Sequence, residues 1–236
     1  MELLEKIRKE KATIAIIGLG YVGLPLSIAF LNKNFKVIGL ELDQTKIDTL
    51  KKGESYLNHI PSEEISSYVS KKKFIVSKNF KNITKADVVI ICVPTPLNKF
   101  REPDLGPVLS SASKIQKFLK KGQLIILESS TYPGTTDDVL TKELEKSNLK
   151  ANEEFFLAYS PEREDPGNKK FSTSTIPKIV GADTLFSRKL ASELYKKVIS
   201  DVVTVSSSRT AEATKLTENI FRSVNIALVN ELKTKD

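Results

Sequence analysis

A chain of 236 residues, 40% hydrophobic and 28% charged, is long enough to bury one large core, or one domain and part of a second. Its 37 Lys+Arg against 29 Asp+Glu give a net charge of +8, but the lysines lie in short pairs and one triplet without interleaved aromatics, which excludes a nucleic-acid surface. A single cysteine, Cys92, excludes an internal disulfide framework and fits a reducing, cytoplasmic setting; with one histidine it leaves little material for a transition-metal site, and no apolar run approaches the ~20 residues of a membrane span.

Residues 1–11 form a charged amphipathic stretch with no signal-peptide core. The apolar, β-branched run Thr13–Ile17 then predicts a buried parallel strand, and Gly18-Leu19-Gly20-Tyr21-Val22-Gly23 leads from it into a helix. In that spacing the first glycine permits a tight turn, the second lets a pyrophosphate approach the backbone, and the third lets helix and strand pack closely. The pyrophosphate would rest on unpaired N–H groups at the positive end of the helix dipole. A second strand, Phe35–Leu40, ends in Glu41, where a dinucleotide fold puts the acid that binds the adenosine ribose. A carboxylate there repels a 2′-phosphate and favours NAD over NADP, a preference that Lys46 softens.

Asp43 to Lys52 reads as a helix capped by Asp43 and ended by Gly53. A loop carries His59, a connecting residue rather than a base, to Ser62, the expected cap of the next helix. Phe74–Val76 is a short strand, and Ala86–Val93 a buried one ending in the rigid turn Pro94-Thr95-Pro96. In doubly wound sheets ligands bind beyond the carboxyl ends of strands, so this turn belongs to the cofactor side. Cys92 reads as a buried strand residue, not a nucleophile. A helix to about Lys121 follows, then a strand from Gln123 to Glu128. The hydroxyls of Ser129–Thr136 either contact phosphate, nicotinamide or a bound water, or cap a helix starting near Thr136.

Strand Phe155–Tyr159 leads into Ser160-Pro161-Glu162-Arg163-Glu164-Asp165-Pro166-Gly167-Asn168, a charged loop at a strand's ligand end. Strands at Ile176–Val180 and Asp201–Val205 flank a helix from Thr184 to Lys197. Ser206-Ser207-Ser208 reads as a hinge before one long amphipathic helix, Ala211 to Lys233. Strands alternating with helices predict an α/β class, a doubly wound Rossmann NAD-binding domain over residues 1–205. Residues 206–236 begin a central helical segment.

The stretches Gly18–Pro25, Cys92–Pro96, Glu128–Thr131, Ser160–Glu162 and Lys215-Leu216-Thr217-Glu218-Asn219, in that order, resemble the nucleotide-sugar 6-dehydrogenases. The loops at Gly53–Ile60, Arg101–Leu105 and Tyr159–Asn168 look most like the UDP-N-acetylglucosamine branch. The resemblance implies oxidation of a UDP-sugar C6 alcohol to a carboxylate with two NAD. It assigns cofactor contacts to Gly18, Gly20, Tyr21, Val22, Glu41, Lys46, Val93, Pro94, Thr95, Ser130 and Thr131, and catalytic roles to Thr131, Glu162, Lys215 and Asn219. Glu162 would be, or position, a general base; Lys215 and Asn219, four apart on one helix, would stabilise an oxyanion; Thr131 would orient a water. The terminal helix would join two copies into a homodimer.

Two departures stand out. The ribose acid is Glu41 where relatives usually carry Asp. The family's nucleophilic cysteine, in a Gly-Gly-His-Cys segment of a C-terminal UDP-binding domain, has no counterpart, so the chain is expected to be an incomplete enzyme, inactive alone. A stand-alone NAD-binding module and a two-electron dehydrogenase of the 6-phosphogluconate type are the alternatives.

Overall fold

The computed structural model describes residues 2–162 and 177–233. The expected charged loop from Arg163 to Asn168, and Ile176, lie outside them. At the centre is β1 (Thr13–Ile17), flanked by β2 (Lys36–Leu40) and, across the sheet, by β4 (Val88–Ile91). Beyond β2 comes β3 (Phe74–Ser77); beyond β4 come β5 (Leu124–Leu127), β6 (Phe156–Tyr159), β7 (Lys178–Gly181) and β8 (Val202–Val205), giving the order β3-β2-β1-β4-β5-β6-β7-β8. Pairing is parallel through β6; β7 runs antiparallel to β6, and β8 parallel to β7. The strand order reverses between β1 and β4, which opens a crevice at their carboxyl ends.

Alternation along β1 sends its side chains into two cores. Ile14 and Ile16 meet Leu26 and Phe30 of α2 (Gly23–Asn32), Ile47 of α3 (Gln44–Lys51), Ile65 of α4 (Ser62–Ser70) and Leu190 of α7 (Leu185–Tyr195). Ala15 and Ile17 join Val108 of α5 (Gly106–Ile115), Leu144 of α6 (Thr141–Leu144) and Ala211 of α8 (Ser208–Lys233). Strands buried on both faces need continuous apolar sequence, which is why β1, β4 and β5 read so clearly. The charged N-terminal stretch folds as α1 (Glu2–Arg8), burying Leu3, Leu4 and Ile7 and pairing Arg8 with Glu193 of α7 at 3.0 Å.

Several local expectations are corrected. Asp43 caps α3 as expected, its carboxylate accepting the Thr45 and Lys46 N–H groups. Ser62 does not cap α4: it is already helical after Pro61, and its hydroxyl accepts the Ser55 N–H at 3.0 Å. The helix expected to reach Lys121 ends at Ile115. The helix after the Ser/Thr-rich turn starts at Thr135 as a wide π-type turn, Thr135–Leu140, and no hydroxyl caps it. A hinge at Ser206–Ser208 is absent as well. Ser207 caps α8 by accepting the Thr210 N–H at 3.1 Å, and the helix rests directly on β7. Gly181 makes that contact possible, since a Cβ there would lie 2.2 Å from the Ser207 carbonyl oxygen.

Candidate cofactor cleft

A cleft of about 600 Å³ opens at the carboxyl ends of β1, β2, β4 and β5. Gly18 turns the chain out of β1 with φ +87°, a conformation that side chains rarely adopt, and a Cβ there would fall 2.8 Å from the Cys92 carbonyl oxygen. Gly23 lies under the Gly18 carbonyl, where a Cβ would approach to 1.9 Å. Gly20 differs from both: nothing lies within 4 Å of its Cβ position. The glycine turn is therefore packed tight on its inner side and open at Gly20, at the mouth of α2.

Glu41 follows β2 and faces this turn. Its Oε2 accepts the Leu19 N–H at 2.9 Å, while Oε1 accepts the N–H groups of Leu42 at 2.7 Å and Asp43 at 3.2 Å. Tyr56 completes a clamp on the Leu19 peptide by donating its hydroxyl to the Leu19 carbonyl. Burial, with Glu41 and Asp43 nearby, holds the Tyr56 phenol well above its ordinary range, so it remains a donor. The Lys46 ammonium lies 5.7 Å from the Tyr56 ring centroid. Oε2 of Glu41, with one backbone donor, keeps capacity for a further hydroxyl.

The opposite wall is stitched together by hydroxyls. Ser129 donates to the Val93 carbonyl at 2.6 Å, and Thr95 donates to the Ser130 carbonyl. Glu162 lines the cleft beside them. At the base of this wall Glu128 also lines the cleft, and it receives both the Lys178 ammonium and the Tyr195 hydroxyl. Lys178, only 5% exposed, also points to the Pro161 carbonyl at 3.4 Å, next to Glu162. Burial and the Glu128 carboxylate push the Tyr195 phenol well above its usual range, keeping it a donor. The first turns of α8 are anchored as firmly. Glu212 is fully buried and accepts the N–H groups of Gly134 and Thr136, at 2.6 and 2.9 Å, and the Thr136 hydroxyl at 2.7 Å.

The cleft gathers Gly18, Gly20, Tyr21, Val22, Glu41, Lys46, Val93, Pro94, Thr95 and Ser130, every expected cofactor residue except Thr131, together with Glu162. Tyr21 stands at the mouth, 73% exposed. Thr131 is buried just behind Ser130, and its hydroxyl has no hydrogen-bond partner of good geometry; the neighbouring Tyr159 phenol donates to the Ser129 carbonyl at 3.1 Å. Lys215, half-buried, and Asn219, exposed, lie along α8 and are not part of the cleft wall. Sequence reasoning missed Tyr56, the Glu128–Lys178–Tyr195 group and Glu212. Only Lys178, a cation opening an apolar strand, carries a signal that local reading can find.

A dinucleotide fits this site on structural grounds. The vacancy over Gly20 faces the N-terminal end of α2, where a pyrophosphate finds unpaired N–H groups, and Glu41 retains an acceptor for a ribose hydroxyl.

Comparison with known proteins agrees. Residues 12–199 match the model of the UDP-glucose/GDP-mannose dehydrogenase family, NAD binding domain. The chain is 39% identical over 221 residues to a UDP-N-acetyl-D-glucosamine 6-dehydrogenase of Pseudomonas aeruginosa, covering 93% of this chain and 51% of that protein. It is 38% identical over 232 residues to the UDP-N-acetyl-D-mannosamine dehydrogenase of Escherichia coli K12, covering 94% and 54%. The crystal structure of an NDP-N-acetyl-D-galactosaminuronic acid dehydrogenase from Methanosarcina mazei Go1 superposes with a TM-score of 0.85 at 34% identity, covering 98% of this chain and 52% of that one. The chain thus spans about half the length of the relatives it matches. With the glycine turn, the Glu41 carboxylate beside it and the doubly wound sheet already in view, the chain belongs to the UDP-glucose/GDP-mannose dehydrogenase family and carries its NAD-binding domain.

Proposed function

We propose that this chain supplies the cofactor half of a UDP-N-acetylhexosamine 6-dehydrogenase, with UDP-N-acetylglucosamine the favoured substrate, in the cytoplasm. The observation that carries the reading is the cleft itself, which brings the open Gly20, the Glu41 carboxylate and Glu162 to one crevice. Its relatives include dehydrogenases named for both the gluco and the manno sugars, which supports the N-acetylhexosamine class. NAD, when bound, accepts the hydride from the sugar C6.

The chain's own residues then have separable tasks. Gly18, Gly20 and the start of α2 hold the pyrophosphate, and Glu41 the adenosine ribose. Glu162 takes the proton from the C6 hydroxyl, directly or by placing a water, as that carbon is oxidised. Lys215 and Asn219 offer an ammonium and a carboxamide to the oxygen where negative charge develops. The Thr131 hydroxyl, with capacity to spare, orients the water that hydrolyses the second-stage intermediate. Cys92, buried at the end of β4, does not serve as the thiol nucleophile, so the second oxidation depends on a cysteine from elsewhere. The exposed apolar stripe Leu216, Ile220, Val224, Leu228 and Leu232 suits pairing with a second copy.

Calorimetry tests the cofactor assignment. The chain binds NAD more tightly than NADP, and Glu41→Ala weakens NAD by about 1.5–3 kcal/mol while narrowing that difference, the worth of a hydrogen bond to a charged group. Unchanged NAD affinity in Glu41→Ala removes the ribose assignment. Two NADH per UDP-N-acetylglucosamine formed by the 236-residue chain alone would refute the need for an external thiol.

A further inference from the structure

The carboxylate of Glu212 belongs to α8 but satisfies another segment. It takes the Gly134 and Thr136 N–H groups and the Thr136 hydroxyl, so it caps the wide turn Thr135–Leu140 that no local side chain caps. One turn earlier on α8, Arg209 donates to Asp138 at 2.9 Å and lies 3.6 Å from Asp137. The helix therefore grips the segment after Thr131 with a carboxylate at one point and a guanidinium at another. Thr131 is connected to that grip through Tyr132, whose carbonyl accepts the Thr135 N–H at 3.2 Å and the Thr135 hydroxyl at 2.7 Å.

Helical geometry extends the consequence. Lys215 is three residues beyond Glu212 and Asn219 seven beyond, so all three lie on one face of α8 within two turns. Rotation or sliding of α8 by a fraction of a turn would break the Glu212 contacts together with the Arg209 ion pair. We infer that Glu212 is a positioning residue: by fixing the rotation and height of α8 against the Gly134–Thr136 turn, it sets where Lys215 and Asn219 stand relative to Thr131. This rests on the catalytic reading of those three residues and adds the part that holds them in register.

The experiment uses the 236-residue chain labelled at threonine methyl and lysine ε carbons, loaded with NAD and titrated with UDP-N-acetylglucosamine. In the wild type the Thr131 and Lys215 signals shift on addition of the sugar nucleotide. Glu212→Ala keeps NAD affinity within twofold but loses at least four-fifths of that response. Thr136→Val, which keeps the side-chain shape and removes one donor to Glu212, loses a smaller part, and it decides the matter if Glu212→Ala does not fold. A full wild-type response in the folded variants overturns the inference. If the wild type itself gives no response, the chain alone does not hold the sugar nucleotide, and the catalytic reading is judged on an enzyme that does. The sugar-free spectra then judge Glu212: altered Thr131 and Lys215 signals in Thr136→Val support its positioning role, and unaltered ones overturn it.

Discussion

The cofactor cleft and α8 differ in how much of their surroundings each one contains. Around the cleft, every wall is braced by its own neighbours: Glu41 and Tyr56 clamp the Leu19 peptide, and Ser129 and Thr95 tie the two loops opposite. Helix α8 buries Ser208, Ala211 and Glu212 in its first turns and then runs on with Ile220, Phe221, Val224, Leu228 and Leu232 exposed. A cofactor site can be finished within one domain because its ligand brings most of the polar groups. Beyond its docked turns, α8 presents these apolar side chains with nothing among the described residues covering them.

Three experiments press on that contrast, taking the largest effect first. Gly23→Ala drives a Cβ into the Gly18 carbonyl, a backbone contact that no rotamer change relieves, so NAD binding falls by more than about a hundredfold and thermal stability drops with it. Gly20→Ala is the matched control. It meets no protein atom, leaves the melting temperature within about 2 °C, and still weakens NAD by about tenfold or more through the filled cradle. Equal losses of stability in the two variants would break the distinction between packing glycine and ligand glycine.

On the α8 side, Val224→Asp places a charge in the middle of the exposed stripe without touching the docked first turns. Sedimentation should show the proposed dimer weakened by more than about tenfold, at unchanged NAD affinity. A wild-type chain that is monomeric with α8 intact would remove a second copy as the partner of the stripe.

The smallest effect concerns pH. Burial, a hydrogen bond with Asp183 and the nearby Glu212 raise Asp137 to about 7, with Arg209 opposing. A carboxyl whose folded value lies above its unfolded value of roughly 4 stabilises the fold while protonated, and that contribution is lost as pH rises from about 4 through about 7. The wild type should therefore lose melting temperature between pH 5 and pH 8 more steeply than Asp137→Asn, by about 2–4 °C. Parallel slopes would remove Asp137 from the account of how α8 docks.

Which parts could be read in advance follows from distance along the chain. The glycine turn, Glu41 and the buried strands were legible because each depends on a short spacing or a continuous apolar run. The cap of α3 was legible because Asp43 acts on the next three residues. Glu212 was not, since it caps a turn that lies 76 residues away from it through Thr136. Tyr56 came from a loop with no periodicity, and the reversal of β7 against β6 depends on a single pair, Tyr159 with Gly181. Ser206–Ser208 misled because small polar residues serve equally as hinge and as cap; contact with Gly181 decides between them.

The ion pair between Glu128 and Lys178 reaches across β6, joining the end of β5 to the start of β7. Lys178 reaches its buried position as a strand residue of the reversed β7–β8 pair, and the groups that receive it come from β5, α7 and the segment entering Glu162. An ammonium in that place without its carboxylate is strongly unfavourable. The last two strands are consequently tied to the central strands and α7 by a buried charge as well as by backbone pairing. The floor beneath Glu162 is thus coupled to the edge of the sheet, so that a substitution loosening β7 or β8 is felt at Glu162.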